Sequence, residues 1–174
     1  MNNEVLECIR TRRSIRRYKN EQITDEDLNT VLEAGTWAPT SKGQQQPFIV
    51  AVQKPELIDK LVKMNAEIMG VTSNPYYDAP TIILVFAPID YGKGLQDGSC
   101  ILENMMLAAH SIGLGSCWIN REIEMFETEE GKELMKEMNL PEGLMGIGAL
   151  SVGYPASFPL TVKARKEDYC RIIK

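Results

Sequence analysis

The chain has 174 residues, 44% of them hydrophobic, a formal net charge of −5 and a single histidine. That length and apolar content fit one compact domain with its own core rather than a disordered chain. The acidic balance argues against a general nucleic-acid binder, which needs a broad basic surface, and one histidine leaves no room for a multi-histidine metal site.

The first predicted helix covers Val5 to Arg12, with Val5, Leu6 and Ile9 on one face. It runs into RTRRSIRR, where five of the chain's eight arginines (Arg10, Arg12, Arg13, Arg16, Arg17) fall within eight residues. A second helix starts at Thr24, a good N-cap, with Asp27 at the third helical position and Ile23 and Leu28 placed for a hydrophobic staple. It continues through Val31 and Leu32 towards Trp37, and Pro39 ends it. PFIVAVQ (47–53) reads as a strand and PELIDKLVKMNAEIM (55–69) as a helix opened by Pro55. SNPYYDAP is a loop, and TIILVFAP (81–88) is a continuous apolar strand buried on both faces.

LQDGSCILENMMLAAHSIG (95–113) is a long helix with almost no charge after Asp97 except Glu103, and is expected to be buried nearly all round and capped by Gly113. His110 lies within it and reads as a packed or half-exposed helix residue. GSCWI is a short strand, TEEGKELMKEMNL an amphipathic helix, and EGLMGIGALSVGYP a glycine-rich strand. From residue 155 to 174 the chain reads as an extended arm carrying Lys163, Arg165, Lys166 and Arg171, either packed on a second subunit or a mobile tail. The four cysteines form no CxxC pair; Cys100 and Cys117 read as small buried hydrophobes. With no signal-peptide pattern and no span of about 20 apolar residues, a reducing, cytoplasmic setting is expected.

Four stretches can carry chemistry. Arg12, Arg13, Ser14 and Arg16 combine permanently charged forked donors with a hydroxyl, as a phosphate requires, although cations at a helix C-terminus have an ordinary electrostatic role too. WAPTSKGQQQPF (37–48) offers amides and hydroxyls to a flat heterocycle or is an ordinary connection. GLGSCWIN (113–120) has two glycines that admit a close backbone approach or merely make a turn; it lacks GxGxxG. In LTVKARKE, Lys163 and Arg165 alternate and so point the same way in an extended segment.

Taken together and in order, RRSIRRY, AGTWAPTSKGQQQPFIVAV, YYDAPTIILV, NMMLAAHSIGLGSCWI and SVGYP followed by KAR resemble the nitroreductase family of FMN-binding oxidoreductases over nearly the whole chain. The resemblance implies a single α+β domain with a mixed antiparallel sheet flanked by helices, in an intertwined homodimer with FMN at the interface. It implies that Arg12, Arg13 and Ser14 bind the FMN phosphate and ribityl chain, that Arg16 lies towards the pyrimidine side of the flavin and tunes it, and that Lys163 and Arg165 close the phosphate pocket. Pro39, Thr40, Ser41 and Gln45 would approach from the other subunit, with Gly43 standing where many relatives carry an asparagine and Gln44 as a substitute. Trp118, Ile119 and Asn120 would lie beside the ring through backbone groups. The implied reaction passes a hydride from NADH or NADPH through flavin N5 to a nitroaromatic, quinone or similar flat acceptor in ping-pong fashion, with no catalytic side chain and no metal. The segment before Thr81, with Met69, Tyr76 and Tyr77, is the expected lid. Two rivals stand beside this: an FMN-binding or sensing protein without turnover, and a flavin-free domain whose basic segment binds an acidic partner.

Overall fold

The computed structural model describes residues 3–159 and 161–174. In chain order the elements are α1 (Glu4–Thr11), α2 (Asp25–Thr36), β1 (Phe48–Val52), α3 (Pro55–Met69), β2 (Thr81–Pro88), α4 (Gly94–Ser111), β3 (Gly115–Ile119), α5 (Glu122–Glu127), α6 (Glu129–Glu137) and β4 (Leu144–Gly153). Local chemistry explains most boundaries. Thr24 Oγ1 accepts from Asp27 N at 3.1 Å and caps α2. Pro55 opens α3, where its missing N–H is not needed. Gly113, at φ +83°, closes α4: its N–H reaches His110 O at 3.1 Å and Leu114 N reaches Ala109 O at 2.8 Å, the Schellman pattern.

The strands order β1-β2-β4-β3, and each of the three ladders is antiparallel. The α+β sheet flanked by helices is as expected, and a parallel bridge joins Ser14 to Ser116 on the open edge of β3. As an apolar run predicts, β2 is covered on both sides. Ile83, Val85 and Ala87 join Val31, Leu102, Met105 and Leu150 in a core beneath α2 and α4. Ile82, Leu84 and Phe86 join Leu61, Met64, Met125 and Leu134 beneath α3, α5 and α6. Each fully buried side chain of this size contributes about 1.5–3 kcal/mol.

Two expectations are corrected, and one helix was not foreseen. Helix α1 begins and ends one residue earlier than its periodicity suggested, because Asn3 Oδ1 accepts from Val5 N at 2.9 Å and fixes the first turn. Its apolar residues Val5, Leu6 and Ile9 are exposed in the protomer. Helix α4 is not buried all round: Gly94, Asp97, Gly98, Ile101, Leu102, Met105, Met106 and Ala109 face the core, while Leu95 and Glu103 are open. Finally, residues 122–127 form α5, a helix of six residues, too short to show a period; it begins at Arg121, which has a left-handed φ of +87° and no side-chain cap. The arm beyond Tyr154 is extended and exposed over its described residues apart from half-buried Pro155 and one 3₁₀ turn at Glu167–Tyr169.

Candidate functional site

The end of α1 is tied to the C-terminal end of α4. Cys8 Sγ lies 3.4 Å from Leu107 O, and Thr11 Oγ1 is 2.8 Å from His110 Nε2. The chain then straightens, and Ile15 N donates to Ser116 O at 2.9 Å, laying the RRSIR segment along the free edge of β3. Glycine is needed at 115: a Cβ there would sit 2.9 Å from the Ile15 side chain. The two glycines of GLGSCWIN therefore serve the chain itself, one as a helix cap and one as room for Ile15.

Arg12 and Arg13 are half-buried at this edge. Arg13 Nη1 donates to Arg10 O at 2.7 Å and to Arg12 O at 2.6 Å, which holds the guanidinium in place. Arg12 Nη1 and Arg13 Nε are buried and have no hydrogen-bond partner. A buried polar group left unpaired costs about 1–3 kcal/mol, and more when charged, so these two nitrogens are costly as they stand. His110, on the neighbouring turn of α4, has its pKa lowered by burial and then by the Arg12 and Arg13 charges; it adds no third cation at neutral pH.

Arg16 Nε donates to Tyr77 Oη at 3.3 Å, with the guanidinium 5.7 Å from the Tyr77 ring centre. That hydrogen bond, with Cys117 nearby, holds the Arg16 pKa above its ordinary value, so its charge is permanent. Burial raises the Cys117 thiol, which argues for a protonated spacer rather than a nucleophile. Cys100, expected to be buried, is half-exposed on α4. Along β3, Trp118 packs towards the α2–α4 core and Ile119 into the opposite one. Only backbone groups of these residues remain for a ligand at the strand's edge and end. Asn120 is exposed, and its carbonyl accepts from Asn65 Nδ2 at 3.0 Å.

The loop from Pro39 to Gln45 lies elsewhere in the protomer. Ser41 N donates to Asp97 Oδ2 at 3.0 Å, and Tyr91 Oη donates to the same oxygen at 2.6 Å. Thr40 Oγ1 accepts from Gln45 N at 3.0 Å. Lys42, Gly43 and Gln45 all have positive φ, at 56°, 65° and 50°. The loop is anchored at the first turn of α4, whereas the arginines meet its last turn. At 1.5 Å per residue, Asp97 and His110 are roughly 20 Å apart along the helix. One protomer therefore does not bring the two sequence-predicted groups together. Lys163 and Arg165 are exposed on the arm and, among the described residues, make no hydrogen bond or ion pair.

A buried polar network was not foreseen. Asn65 on α3 accepts from Arg121 Nε at 2.7 Å and donates to Tyr76 Oη at 3.3 Å; Tyr76 Oη donates to Glu122 Oε1 at 3.0 Å. Asn65, Tyr76 and Glu122 are all buried. Burial pushes the Glu122 carboxyl up to about 8. Tyr76, expected to face a substrate from a lid, points into the core instead; its hydroxyl finds the Glu122 carboxyl there. Tyr77 and the exposed Met69 remain on the outside of that segment.

The larger of the two described cavities, about 520 Å³, lies between α5, α6 and the start of β4, with Phe126, Met135 and Leu140 in its wall and Glu127, Glu133 and Glu142 at its rim. It contains none of the arginines, and Lys132 and Lys136 line it beside the glutamates. A second, of about 290 Å³, is bordered by Thr36, Thr40, Gln45 and Ile101. The buried, unpartnered guanidinium nitrogens belong to residues that line neither cavity.

A model of the nitroreductase family matches residues 9–154, from the end of α1 to the residue that follows β4. The chain belongs to the nitroreductase family. Among solved structures, a nitroreductase with bound FMN from Bacteroides fragilis is 31% identical with a TM-score of 0.92, covering 99% of this chain and 100% of that one. A nitroreductase with bound FMN from Desulfitobacterium hafniense is 25% identical with a TM-score of 0.90, covering 100% of each chain. An FMN reductase (NAD(P)H) of Bacillus subtilis is 28% identical, covering 88% of this chain and 67% of its own length. The family match starts just ahead of the arginine segment and stops before the arm; Lys163 and Arg165 lie outside it, and the full-length agreement with the Bacteroides nitroreductase is one of fold.

Proposed function

We propose that this nitroreductase-family chain is an FMN-dependent oxidoreductase that takes reducing equivalents from NADH or NADPH and delivers them to a nitroaromatic, a quinone or another flat electrophile. The observation that carries the reading is the pair of buried, unpartnered nitrogens, Arg12 Nη1 and Arg13 Nε, beside Ser14 on the edge of β3. A dianionic phosphate monoester fits them: it brings three strong acceptors and a charge that two permanent cations neutralise. FMN, when bound, supplies the hydride-accepting and hydride-donating centre.

On this reading the protein's own residues divide the tasks. Arg12, Arg13 and Ser14 hold the phosphate end, joined by Lys163 and Arg165 from the arm. Arg16, kept charged by Tyr77, lies towards the pyrimidine edge and favours negative charge there in a site poor in water. The backbone from Trp118 to Asn120 borders the ring. Pro39, Thr40, Ser41 and Gln45 come from a second copy of the chain. Support for that copy is the separation of the two groups along α4: a partner packed with its α4 antiparallel places one subunit's loop beside the other's arginines. The exposed Val5, Leu6 and Ile9 of α1, which packs against α4, supply an apolar face for such a contact. Gly43, at φ +65°, has open space where a Cβ would point, so a side chain missing there leaves the loop's backbone intact. Donor and acceptor in turn on one face of the ring give ping-pong kinetics.

The test is a spectrum followed by stopped-flow mixing. Purified protein is expected to carry, or take up, a yellow chromophore that NADH or NADPH bleaches within the dead time to seconds and that a quinone restores. Colour without bleaching by either nicotinamide would identify a flavin-binding protein without turnover. Failure to bind FMN at all would end the flavin reading.

A further inference from the structure

The buried network around Asn65 lies beside the segment proposed to border the flavin ring. Arg121 is a non-glycine residue in the left-handed region, directly after Asn120, at the end of the strand whose backbone is assigned to the ring. Nothing in Arg121's own chemistry favours that conformation, since only glycine and, less often, asparagine or aspartate adopt it readily. The side chain is held from outside: Arg121 Nε donates to Asn65 Oδ1 at 2.7 Å. The same amide's Nδ2 donates to the Asn120 carbonyl at 3.0 Å. One side chain thus grips both residues of the turn. Asn65 is itself locked, because it is fully buried and its Nδ2 also reaches Tyr76 Oη, which donates to Glu122 Oε1. Tyr76 precedes Tyr77, the residue that contacts Arg16, and Tyr77 too has a left-handed φ of +59°. Asn74 and Ser151 hold the backbone of the loop before β2, and Asn65 links that loop, through the Tyr76 hydroxyl, to the turn at α5's threshold.

We propose that Asn65 is a positioning residue for the flavin: through its two hydrogen bonds it sets the Asn120–Arg121 turn against the ring edge, and through Tyr76 it fixes Tyr77 and hence Arg16. This rests on the flavin reading, because the turn has a geometric duty only if a ring lies beside it. A displacement on the order of 1 Å at such a turn changes the rate of transfer far more than it changes cofactor affinity, which resides in the phosphate contacts.

The test uses the FMN-loaded protein. Asn65→Leu keeps the size of the side chain and removes all three of its hydrogen bonds. FMN affinity is expected to stay within about threefold of wild type, while flavin reduction at saturating nicotinamide slows by about tenfold or more. Adding Arg121→Gly to Asn65→Leu is expected to recover most of the lost rate, because glycine adopts the left-handed turn without a clamp; a defect in core packing would not be repaired that way. If Asn65→Leu does not fold, Arg121→Ala and Arg121→Gly in the otherwise wild-type chain make the same comparison, with alanine slow and glycine faster. Wild-type reduction rates in Asn65→Leu, or a loss that Arg121→Gly leaves untouched, would overturn the assignment while leaving the flavin reading intact. A wild-type protein that binds no FMN would sink both.

Discussion

At the scale of single residues, burial turns ordinary side chains into informative ones. Arg12 and Arg13 are unremarkable as a basic helix end, but Arg12 Nη1 and Arg13 Nε are buried and unpartnered, which is why the phosphate is proposed there. Arg12→Ala and Arg13→Ala are each expected to weaken FMN binding by about 1.5–3 kcal/mol, the value of a charge-assisted hydrogen bond. Flavin fluorescence titration measures this, and unchanged affinity in both variants would contradict the phosphate role. Glu122 makes a second prediction. Its carboxyl titrates near 4.5 when unfolded and about 8 when buried, so the folded form holds a proton that the unfolded chain has already lost. That contribution to stability is complete below about pH 4.5 and declines as pH rises through about 8. Glu122→Gln is expected to flatten this alkaline loss in thermal melts at pH 5.5, 7 and 8.5. A Tm that falls as steeply in the variant would place the titration elsewhere.

At the scale of elements, the site depends on how helices begin and end. The Gly113 cap turns the chain out of α4 and into β3, so that the last turn of α4, the end of α1 and the edge of β3 meet. The first turn of the same helix holds the Thr40–Ser41 loop through Asp97. Helix α2 is more remote from the arginines, and its cap is a test of stability alone. Thr24→Ala removes the acceptor for Asp27 N and is expected to cost about 1 kcal/mol in urea unfolding, with FMN affinity unchanged. A simultaneous loss of FMN would show that α2 supports the site more closely than its contacts indicate.

At the scale of the whole molecule, the proposed site needs a second copy of the chain. The α4 helix separates the loop from the arginines by its own length, and the apolar residues of α1 lie open. Ile9→Asp is expected to convert a dimer to monomers in sedimentation velocity and to weaken FMN binding with it, since a charge at a buried interface goes unpaired. Dimers that persist with full FMN affinity would move the interface off α1. Among the described residues no helix is long and apolar enough to cross a membrane.

Periodicity, caps and turn residues reported the local structure well. Thr24 and Pro55 placed the starts of α2 and α3, the run from Thr81 to Pro88 placed a strand covered on both faces, and the motif order pointed to the family. These signals survive in one dimension because they act between residues a few positions apart. What the linear order left undetermined is what depends on long-range neighbours. An apolar α4 reads the same whether a core or a second subunit covers its outer face. Tyr76 reads as a lid residue until Glu122, far along the chain, draws its hydroxyl inwards. Arg121 reads as a loop cation until Asn65 holds it in a left-handed turn. The residue types were chosen locally by the sequence; their partners, and so their duties, were decided only when the chain packed and water was excluded around them.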